Sequence, residues 1–337
     1  MINQIIRLIR PGLFLPCFEV VNPGPDDVVV RPKYLSICAA DQRYFQGNRP
    51  PEVLKEKLPL ALFHECVAEV IRDPQDKLKK GSLCVLLPGG PASIDEDSNY
   101  RQGAFFRSSN ADGFCQEVMF LHREELVPLP EDADYIYVFT ELMSVCCQAF
   151  SRLAQAVPMK DKARIGIWGD GTMAFMMAVA LSRLSPSSEI YVYGKHDEKL
   201  INFSFVTKRI NVFDKSDKTT IDIAFECVGG GGAQQAIAHA IEKLAPQGTL
   251  VLMGVSETAP VIPTRMILGK GLVLIGCSRS TKNDFKRAVE ILSDDFVKNT
   301  LYKIVASKTT VSSSSELMDA FLNDKNIDYK TIISLQL

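Results

Sequence analysis

The sequence lacks the features that mark membrane, secreted and nucleic-acid-binding proteins. No apolar run reaches the ~18–20 residues of a membrane span. The first residues do not combine a charged start, a long apolar segment and a small-residue cleavage site, as a signal peptide would. The formal net charge of −2 leaves no basic excess for a nucleic acid or an anionic membrane surface. The charge therefore argues against these two classes of partner and leaves a local basic pocket open.

Paired cysteines are also missing. The nine cysteines are odd in number and scattered, and only Cys146 and Cys147 are close neighbours. Most of them lie among apolar residues, where cysteine usually acts as a small buried hydrophobe. This usage predicts free thiols and a cytoplasmic location.

A chain of 337 residues is long enough for two domains with separate cores. Before residue 140, short apolar segments bounded by turn residues predict strands at 27–36, 66–71, 82–88 and 114–121. A polar segment at 89–113 predicts a long loop, which is usually functional or flexible.

After residue 140 the pattern becomes an alternation of strands and helices. Predicted strands are 165–168, 190–193, 221–226, 248–254 and 271–276, and predicted helices are 142–157, 172–184, 198–205 and 232–244. This alternation indicates a parallel sheet covered by helices on both faces. The fold class is therefore α/β. We expect residues 148–282 to form this sheet domain, and residues 1–147 and 283–337 to form the β-rich domain.

Gly169, Gly171 and Ala174 form the pattern G-x-G-x-x-[G/A] between an apolar strand and a helix. The glycines allow a tight turn and a close approach of a pyrophosphate, which the helix start at Thr172 and Met173 would attract. The pattern predicts dinucleotide binding. The alternative is a glycine turn in a fold that binds nothing.

The end of the next strand suggests which dinucleotide. Gly194 stands where a NAD site places an acid on the ribose, and Lys195 and His196 follow it. Cations there suit a 2′-phosphate, so NADP is expected. Asp197 keeps NAD open if the turn is one residue longer.

Four residues upstream have side chains that bind zinc, namely Cys38, His64, Glu65 and Glu141. Taken singly, such a cysteine is usually core, such a histidine a hydrogen-bonded polar group, and such a glutamate a helix-start acid. Their spacing alone does not decide between a metal site and these structural roles.

The motifs together resemble the medium-chain dehydrogenase/reductase superfamily, in its zinc-dependent alcohol and polyol dehydrogenase branch. The matching segments span essentially the whole chain and are 37–41, 63–65, 141–145, 169–174, 222–229 and 248–254. The resemblance implies a GroES-like catalytic domain, a Rossmann domain, and zinc and nicotinamide in a cleft between them. The family is rich in oligomers, so a homo-oligomer is expected, with the strand at 271–276 as a candidate contact.

The resemblance also assigns roles at the metal. Cys38 and His64 would be zinc ligands, Glu65 a ligand or a neighbour that exchanges with water, and Asp41 the acid that orients the histidine. Glu141 matches the third-ligand position, with Cys146 or Cys147 as alternatives.

Two departures from the family pattern matter. The family's four clustered cysteines are missing from 89–113, so one catalytic zinc and no structural zinc are expected. Ala40 replaces a serine or threonine, which removes the family's hydroxyl proton relay.

The segment 100–114 resembles a narrower group, the ribulose-5-phosphate reductases that supply ribitol 5-phosphate for teichoic acid or capsule. Arg107 and Ser108 would then clamp the substrate phosphate, and Arg43 and Tyr44 would line the cleft. Alternatively, Arg107 is a surface arginine paired with Asp95 or Glu96. Pathway analogy adds a cytidylyltransferase as a candidate partner.

Three other functions stay open on the sequence. One is a dehydrogenase acting on an unphosphorylated polyol or secondary alcohol. Another is a zinc-free quinone reductase, against which the four predicted metal ligands argue. The third is a nucleotide-binding protein of the same fold without catalysis.

Overall fold

The computed structural model describes residues 1–90, 100 and 104–337, so part of the predicted loop at 89–113 lies outside the described residues. The chain divides into two compact units. The first unit comprises Met1–Ser144 and Arg279–Leu337, and the second comprises Val145–Ser278.

The described strands and helices follow one another along the chain. The strands are β1 (Ile2–Arg10), β2 (Leu13–Val20), β3 (Val28–Ser36), β4 (Cys66–Arg72), β5 (Leu83–Leu86), β6 (Gly89–Gly90), β7 (Phe105–Phe106), β8 (Met119–Leu121), β9 (Leu126–Pro128), β10 (Arg164–Trp168), β11 (Glu189–Gly194), β12 (Lys208–Asn211), β13 (Ile221–Glu226), β14 (Leu244–Leu252), β15 (Val273–Gly276), β16 (Val305–Val311) and β17 (Lys330–Leu335). The helices are α1 (Ala39–Phe45), α2 (Pro51–Lys57), α3 (Thr140–Ala156), α4 (Thr172–Leu184), α5 (Asp197–Leu200), α6 (Ala233–Lys243), α7 (Thr264–Lys270), α8 (Lys282–Leu292), α9 (Asp295–Leu301) and α10 (Ser314–Asp324).

The first unit is β-rich. Its main sheet has the order β16-β17-β3-β4-β5-β9, with β8 paired to β3. The last strand, β17, runs antiparallel beside β3, so the end of the chain returns to its first third. An aromatic cluster fixes this return, because Phe321 on α10 packs on Phe14, Phe45 and Phe63 with ring centroids 4.9–5.6 Å apart. Burying one such ring contributes about 1.5–3 kcal/mol.

The second unit is a six-stranded parallel sheet of order β12-β11-β10-β13-β14-β15. The chain order reverses between β10 and β13, which is the switch point where doubly wound sheets bind dinucleotides. On α4, every side chain from Ala174 to Leu181 is buried. The predicted α/β class, with a GroES-like β-rich part and a Rossmann sheet, is confirmed.

Some predicted elements differ from the structure. The helix expected at 198–205 stops at Leu200, because the asparagine, aromatic and β-branched residues that follow are poor helix formers. Only Met119–Leu121 of the strand expected at 114–121 is regular. The hairpin of β1 and β2 was not predicted. Among the described residues, no helix has the length and apolar character needed to cross a membrane.

Candidate metal and dinucleotide sites

Three of the predicted metal-binding residues meet where two strands lie side by side. Cys38 follows β3 and caps α1, and His64 and Glu65 immediately precede β4. The antiparallel pairing of β3 and β4 places Leu35 opposite Cys66, which brings both segments to one end of the sheet. One ligand atom from each of the three side chains lies within 4.8 Å of the other two. We call these three residues the metal cluster.

Asp41, in the first turn of α1, ties the segments of the cluster together. It is fully buried, and its Oδ2 accepts a hydrogen bond from the Cys38 backbone N–H at 3.1 Å. Its Oδ1 accepts from the Phe63 N–H at 3.1 Å and from the Ser108 hydroxyl at 2.6 Å. The same oxygen lies 3.8 Å from His64 Nδ1. This geometry supports the predicted role of Asp41 in orienting His64. The Ser108 hydroxyl, which donates to the same oxygen, helps to hold Asp41 in place.

The backbone beside His64 is strained. Phe63 has φ of 74°, a left-handed conformation that costs a non-glycine residue about 1–3 kcal/mol. The bond from its N–H to Asp41 and the packing of its ring on Phe321 hold it there. Such strain persists only where the surroundings determine it, as they do around many binding sites.

Lys330, on β17, is the site residue that the sequence did not reveal. Its Nζ donates to Glu65 Oε1 and to the Ile37 carbonyl, both at 2.8 Å. Both charged side chains are buried, and the neighbouring negative charges raise the pKa of Lys330 against the opposing effect of burial. The available signal was a lysine at the start of an otherwise apolar strand. Glu65 Oε2 is buried and has no hydrogen-bond partner among the residues that the structure describes.

The charges around the cluster favour a cation. Burial alone lowers the pKa of the His64 imidazole, but Asp41 and Cys38 outweigh it and raise that pKa well above its usual value. Burial raises the pKa of Glu141 to about 7, opposed by His64 and reinforced by Glu65. Glu141 therefore lies close enough for charge interactions, but outside the 4.8 Å cluster.

The donor set fits zinc. Sulfur, imidazole nitrogen and carboxylate oxygen are all zinc ligands. An unpartnered buried carboxylate oxygen is costly unless an ion or donor satisfies it, and Glu65 Oε2 is such an atom. The ligand roles of Cys38, His64, Glu65 and Glu141 remain predictions that this geometry supports. Cys146 and Cys147 are buried thiols of α3 in the second unit.

The residues predicted to hold the substrate phosphate have partners within the protein. Arg107 donates through Nη2 to Glu125 at 3.2 Å, and its guanidinium lies over the Phe105 ring at 5.2 Å. Tyr44 is buried in the apolar core, and Arg43 precedes it on α1. The alternative partners of Arg107, Asp95 and Glu96, lie outside the described residues. The structure thus brings Ser108 to Asp41 and directs Arg107 towards Glu125.

In the second unit the predicted glycine turn borders a cavity of about 510 Å³. Gly169 follows β10 directly and has φ of +133°, and a Cβ there would lie 3.2 Å from that of Ala174. The turn therefore needs glycine at its start and a small residue where it meets α4, which begins with Thr172 and Met173. The cavity is also lined by the predicted residues Gly171, Gly194, Lys195 and His196.

One wall of this cavity is aromatic. The Trp168 and Tyr193 rings are stacked, with centroids 4.4 Å apart, and Trp168 Nε1 donates to His239 Nδ1 at 3.1 Å. Because burial lowers the pKa of His239, a neutral imidazole that accepts this bond is favoured. Neither Trp168 nor His239 was predicted from the sequence to be a site residue. Asp197, the residue that kept NAD open, begins α5 and accepts from Asn211 Nδ2 at 2.8 Å.

Comparison with known proteins adds independent findings. A family model described as zinc-binding dehydrogenase matches residues 198–294, and one described as alcohol dehydrogenase GroES-like domain matches residues 24–131. Ribulose-5-phosphate reductase 1 of Staphylococcus aureus (strain NCTC 8325 / PS 47) is 40% identical over 99% of both chains. Ribulose-5-phosphate reductase of Bacillus spizizenii (strain ATCC 23059 / NRRL B-14472 / W23) is 39% identical over 100% of both. The crystal structure of S. aureus TarJ in complex with NADPH matches with a TM-score of 0.90 and 37% identity, over 100% of both chains.

Proposed function

The chain belongs to the zinc-binding dehydrogenases of the medium-chain dehydrogenase/reductase superfamily, and on that premise we propose that it reduces D-ribulose 5-phosphate to D-ribitol 5-phosphate with NADPH. One observation carries the proposal. The cluster of Cys38, His64 and Glu65, in which His64 and Glu65 are buried, occurs in a chain about 40% identical, over its full length, to proteins named for this reduction. The NADPH complex of a structural relative supports the choice of cofactor.

Zinc at the cluster would be held by Cys38, His64 and Glu65, with Glu141 as the further candidate ligand. Bound zinc supplies a Lewis acid that polarises a ketone oxygen, and bound NADPH supplies the hydride. Asp41 fixes the Cys38 backbone and orients His64. Lys330 neutralises Glu65 through Oε1, which leaves Oε2 for the metal or for water.

Proton delivery cannot follow the family's hydroxyl route, because residue 40 is alanine. Ser108 does not stand in for that hydroxyl, since it donates its proton to the buried Asp41 at 2.6 Å. Within the described part of the chain, Glu65 is a buried carboxylate with one oxygen that makes no hydrogen bond to the protein. We therefore assign Glu65 and water to the transfer of a proton to the substrate oxygen.

The enzyme would carry one catalytic zinc, act in the cytoplasm as a homo-oligomer, and supply ribitol 5-phosphate for teichoic acid or capsule precursors. A cytidylyltransferase would consume this product, because activation of a polyol phosphate for polymer synthesis requires transfer of a nucleotide.

A steady-state assay tests the activity. We expect NADPH oxidation with D-ribulose 5-phosphate, slower oxidation of NADH, and loss of turnover with a zinc chelator. Free D-ribulose is the control for the phosphate. NADPH binding without turnover of any ketose would support the alternative of a nucleotide-binding protein without catalysis. Full turnover by the metal-free protein would contradict the zinc mechanism.

The contact of Arg107 with Glu125 favours a second candidate, a polyol dehydrogenase acting on an unphosphorylated substrate, because it occupies the proposed phosphate clamp. The variants Arg107→Ala and Glu125→Gln separate the two. If Arg107 binds phosphate, Arg107→Ala raises KM for the sugar phosphate about tenfold and leaves free D-ribulose unaffected. Glu125→Gln removes the negative charge that pairs with Arg107 but keeps the arginine, so it is the matched control. Equal loss on both substrates would support the second candidate.

A further inference from the structure

Asp170, the middle residue of the Gly169–Gly171 turn, makes contacts that the glycine motif does not require. Its Oδ2 accepts hydrogen bonds from the backbone N–H groups of Lys195 at 2.7 Å and His196 at 2.9 Å. The same oxygen lies 3.0 Å from His196 Nδ1. Burial acts to raise the pKa of Asp170, but these donors outweigh it and hold that pKa below its usual range.

The neighbouring Gly194 has no room for a side chain. A Cβ at this position would lie 2.8 Å from the Cβ of Asp170 and 2.9 Å from its Oδ2. It would also lie 2.8 Å from a methyl carbon of Leu200. Asp170 therefore fills the space into which an acid at the end of β11 would extend. An acid at residue 194 and Asp170 exclude each other by volume and by like charge.

The direction of the Asp170 carboxylate bears on whether the site prefers NAD or NADP. In a NAD site the acid at this strand end accepts hydrogen bonds from the ribose hydroxyls. Here the corresponding space holds an oxygen already engaged by two backbone N–H groups and an imidazole nitrogen. The loop that it holds carries a lysine and a histidine on the wall of the 510 Å³ cavity. Ammonium and imidazole nitrogens suit a phosphate monoester, whose oxygens are strong acceptors.

We propose that Asp170 is a specificity-determining residue for the cofactor. Together with Gly194, it replaces a ribose-binding acid with an inward-turned carboxylate that positions Lys195 and His196 for the 2′-phosphate of NADPH. The inference rests on the proposed function only in taking a nicotinamide dinucleotide as the cofactor. Asp170 acts through the loop that it fixes, so it is a positioning residue.

Direct binding tests this without the sugar phosphate. Trp168 is the only tryptophan of the chain and lines the same cavity, so quenching of its fluorescence reports NADPH or NADH binding. We expect Asp170→Ala to weaken NADPH binding about tenfold and NADH binding less than about threefold, since it releases bonds to a charged acceptor. Asp170→Asn keeps an oxygen acceptor for both N–H groups, so it should bind NADPH within about threefold of the wild type.

The double variant Asp170→Gly with Gly194→Asp is the converse test. It moves the acid to the strand end and removes the clash with Asp170, and the methyl at the end of the flexible Leu200 side chain can shift aside. NADH binding should therefore strengthen and NADPH binding weaken. Gly194→Asp alone is the matched control and should bind both cofactors poorly. ADP-ribose and ADP-ribose 2′-phosphate serve as competitors. Because they differ only in the 2′-phosphate, a change in their relative affinity assigns the effect to that group.

The possible failures are distinguishable. If the wild type binds NADH as tightly as NADPH, the proposed cofactor is wrong. If the wild type prefers NADPH and folded Asp170→Ala keeps the same preference, Asp170 only shapes the turn. If Asp170→Ala does not fold, the double variant decides, and an unchanged preference for NADPH would overturn the inference.

Discussion

The two candidate sites are built in opposite ways. The dinucleotide cavity uses a contiguous strand, turn and helix around Gly169 and the end of the neighbouring strand, and the Lys195 and His196 side chains on its wall are exposed. In the metal cluster His64 and Glu65 are buried and Cys38 is half-buried, and the charged partner Lys330 lies 265 residues from Glu65 along the chain. Changes in the cavity should therefore alter ligand preference locally. Changes in the cluster should affect both chemistry and stability.

The largest effect is expected at the cluster itself. Cys38→Ser should lower kcat about 10³-fold and reduce bound zinc, because several kcal/mol of charge stabilisation depend on the metal. Metal analysis and steady-state kinetics measure both. Cys17→Ser changes a partly exposed thiol away from the cluster and is the matched control. Unchanged turnover in Cys38→Ser would remove the basis of the zinc assignment.

The second largest effect is expected at Lys330 and tests whether its buried ion pair with Glu65 contributes to the stability of the fold. Lys330→Met should lower the free energy of unfolding by about 3–5 kcal/mol, because it leaves the buried Glu65 carboxylate without its partner. Urea unfolding of metal-free protein measures this. Adding Glu65→Leu should recover most of the loss, since an apolar pair replaces the ion pair. A change below about 1 kcal/mol in Lys330→Met would mean that the pair is hydrated in solution.

Ser108 distinguishes a positioning role from the predicted phosphate clamp. Ser108→Ala removes the donor at 2.6 Å from Asp41, and should weaken zinc binding about tenfold while changing KM for the sugar phosphate little. Competition with a fluorescent chelator measures zinc affinity. Ser109→Ala is the neighbouring control. A large increase in KM with normal zinc affinity would restore the clamp.

The smallest effect is expected at Asp217 in the second unit, which accepts a hydrogen bond at 3.4 Å from the hydroxyl of Tyr193 in the cavity wall. Burial acts to raise the pKa of Asp217, but the Lys243 ammonium at 2.7 Å and the Thr219 hydroxyl outweigh it and lower that pKa to about 2. A depressed carboxyl pKa stabilises the folded state above the unfolded pKa, and this stabilisation is lost as the pH falls from about 4 to about 2.

Asp217→Asn therefore tests local electrostatics in the second unit. The difference in urea midpoint between the wild type and Asp217→Asn should be larger at pH 5 than at pH 3. A difference independent of pH would show that Asp217 contributes packing rather than charge.

The sequence predicts the second unit better than the first for a physical reason. A strand, a glycine turn and a helix are consecutive, so the pattern from 165 to 184 identifies both the fold and the cofactor turn. Of the residues that line the dinucleotide cavity, Gly194, Lys195 and His196 were predicted and Asp170 was not. Its contacts with Lys195 and His196 join the ends of two neighbouring strands, which are distant in sequence.

The prediction of the metal site in the first unit depended on the resemblance to a known family. Cys38, His64 and Glu65 carry no local spacing signal, and the family motifs were needed to group them; the structure then places them within 4.8 Å. Lys330 was missed because a lysine at a strand start usually faces solvent, whereas here it is buried and donates to the Ile37 carbonyl and to Glu65, both distant in sequence. The β1–β2 hairpin did have a signal, since Pro11 and Gly12 separate two apolar segments and Gly12 has φ of +76°.

The position of Lys330 on β17 has a consequence during translation. A ribosome adding about 5–20 residues per second needs on the order of 10–50 s to proceed from Glu65 to its counter-charge. For that interval the nascent amino-terminal segment exposes a thiol, an imidazole and an uncompensated acid to the cellular metal pool. A metal ion bound early would supply a substitute cation to the incomplete sheet until β17 is synthesised.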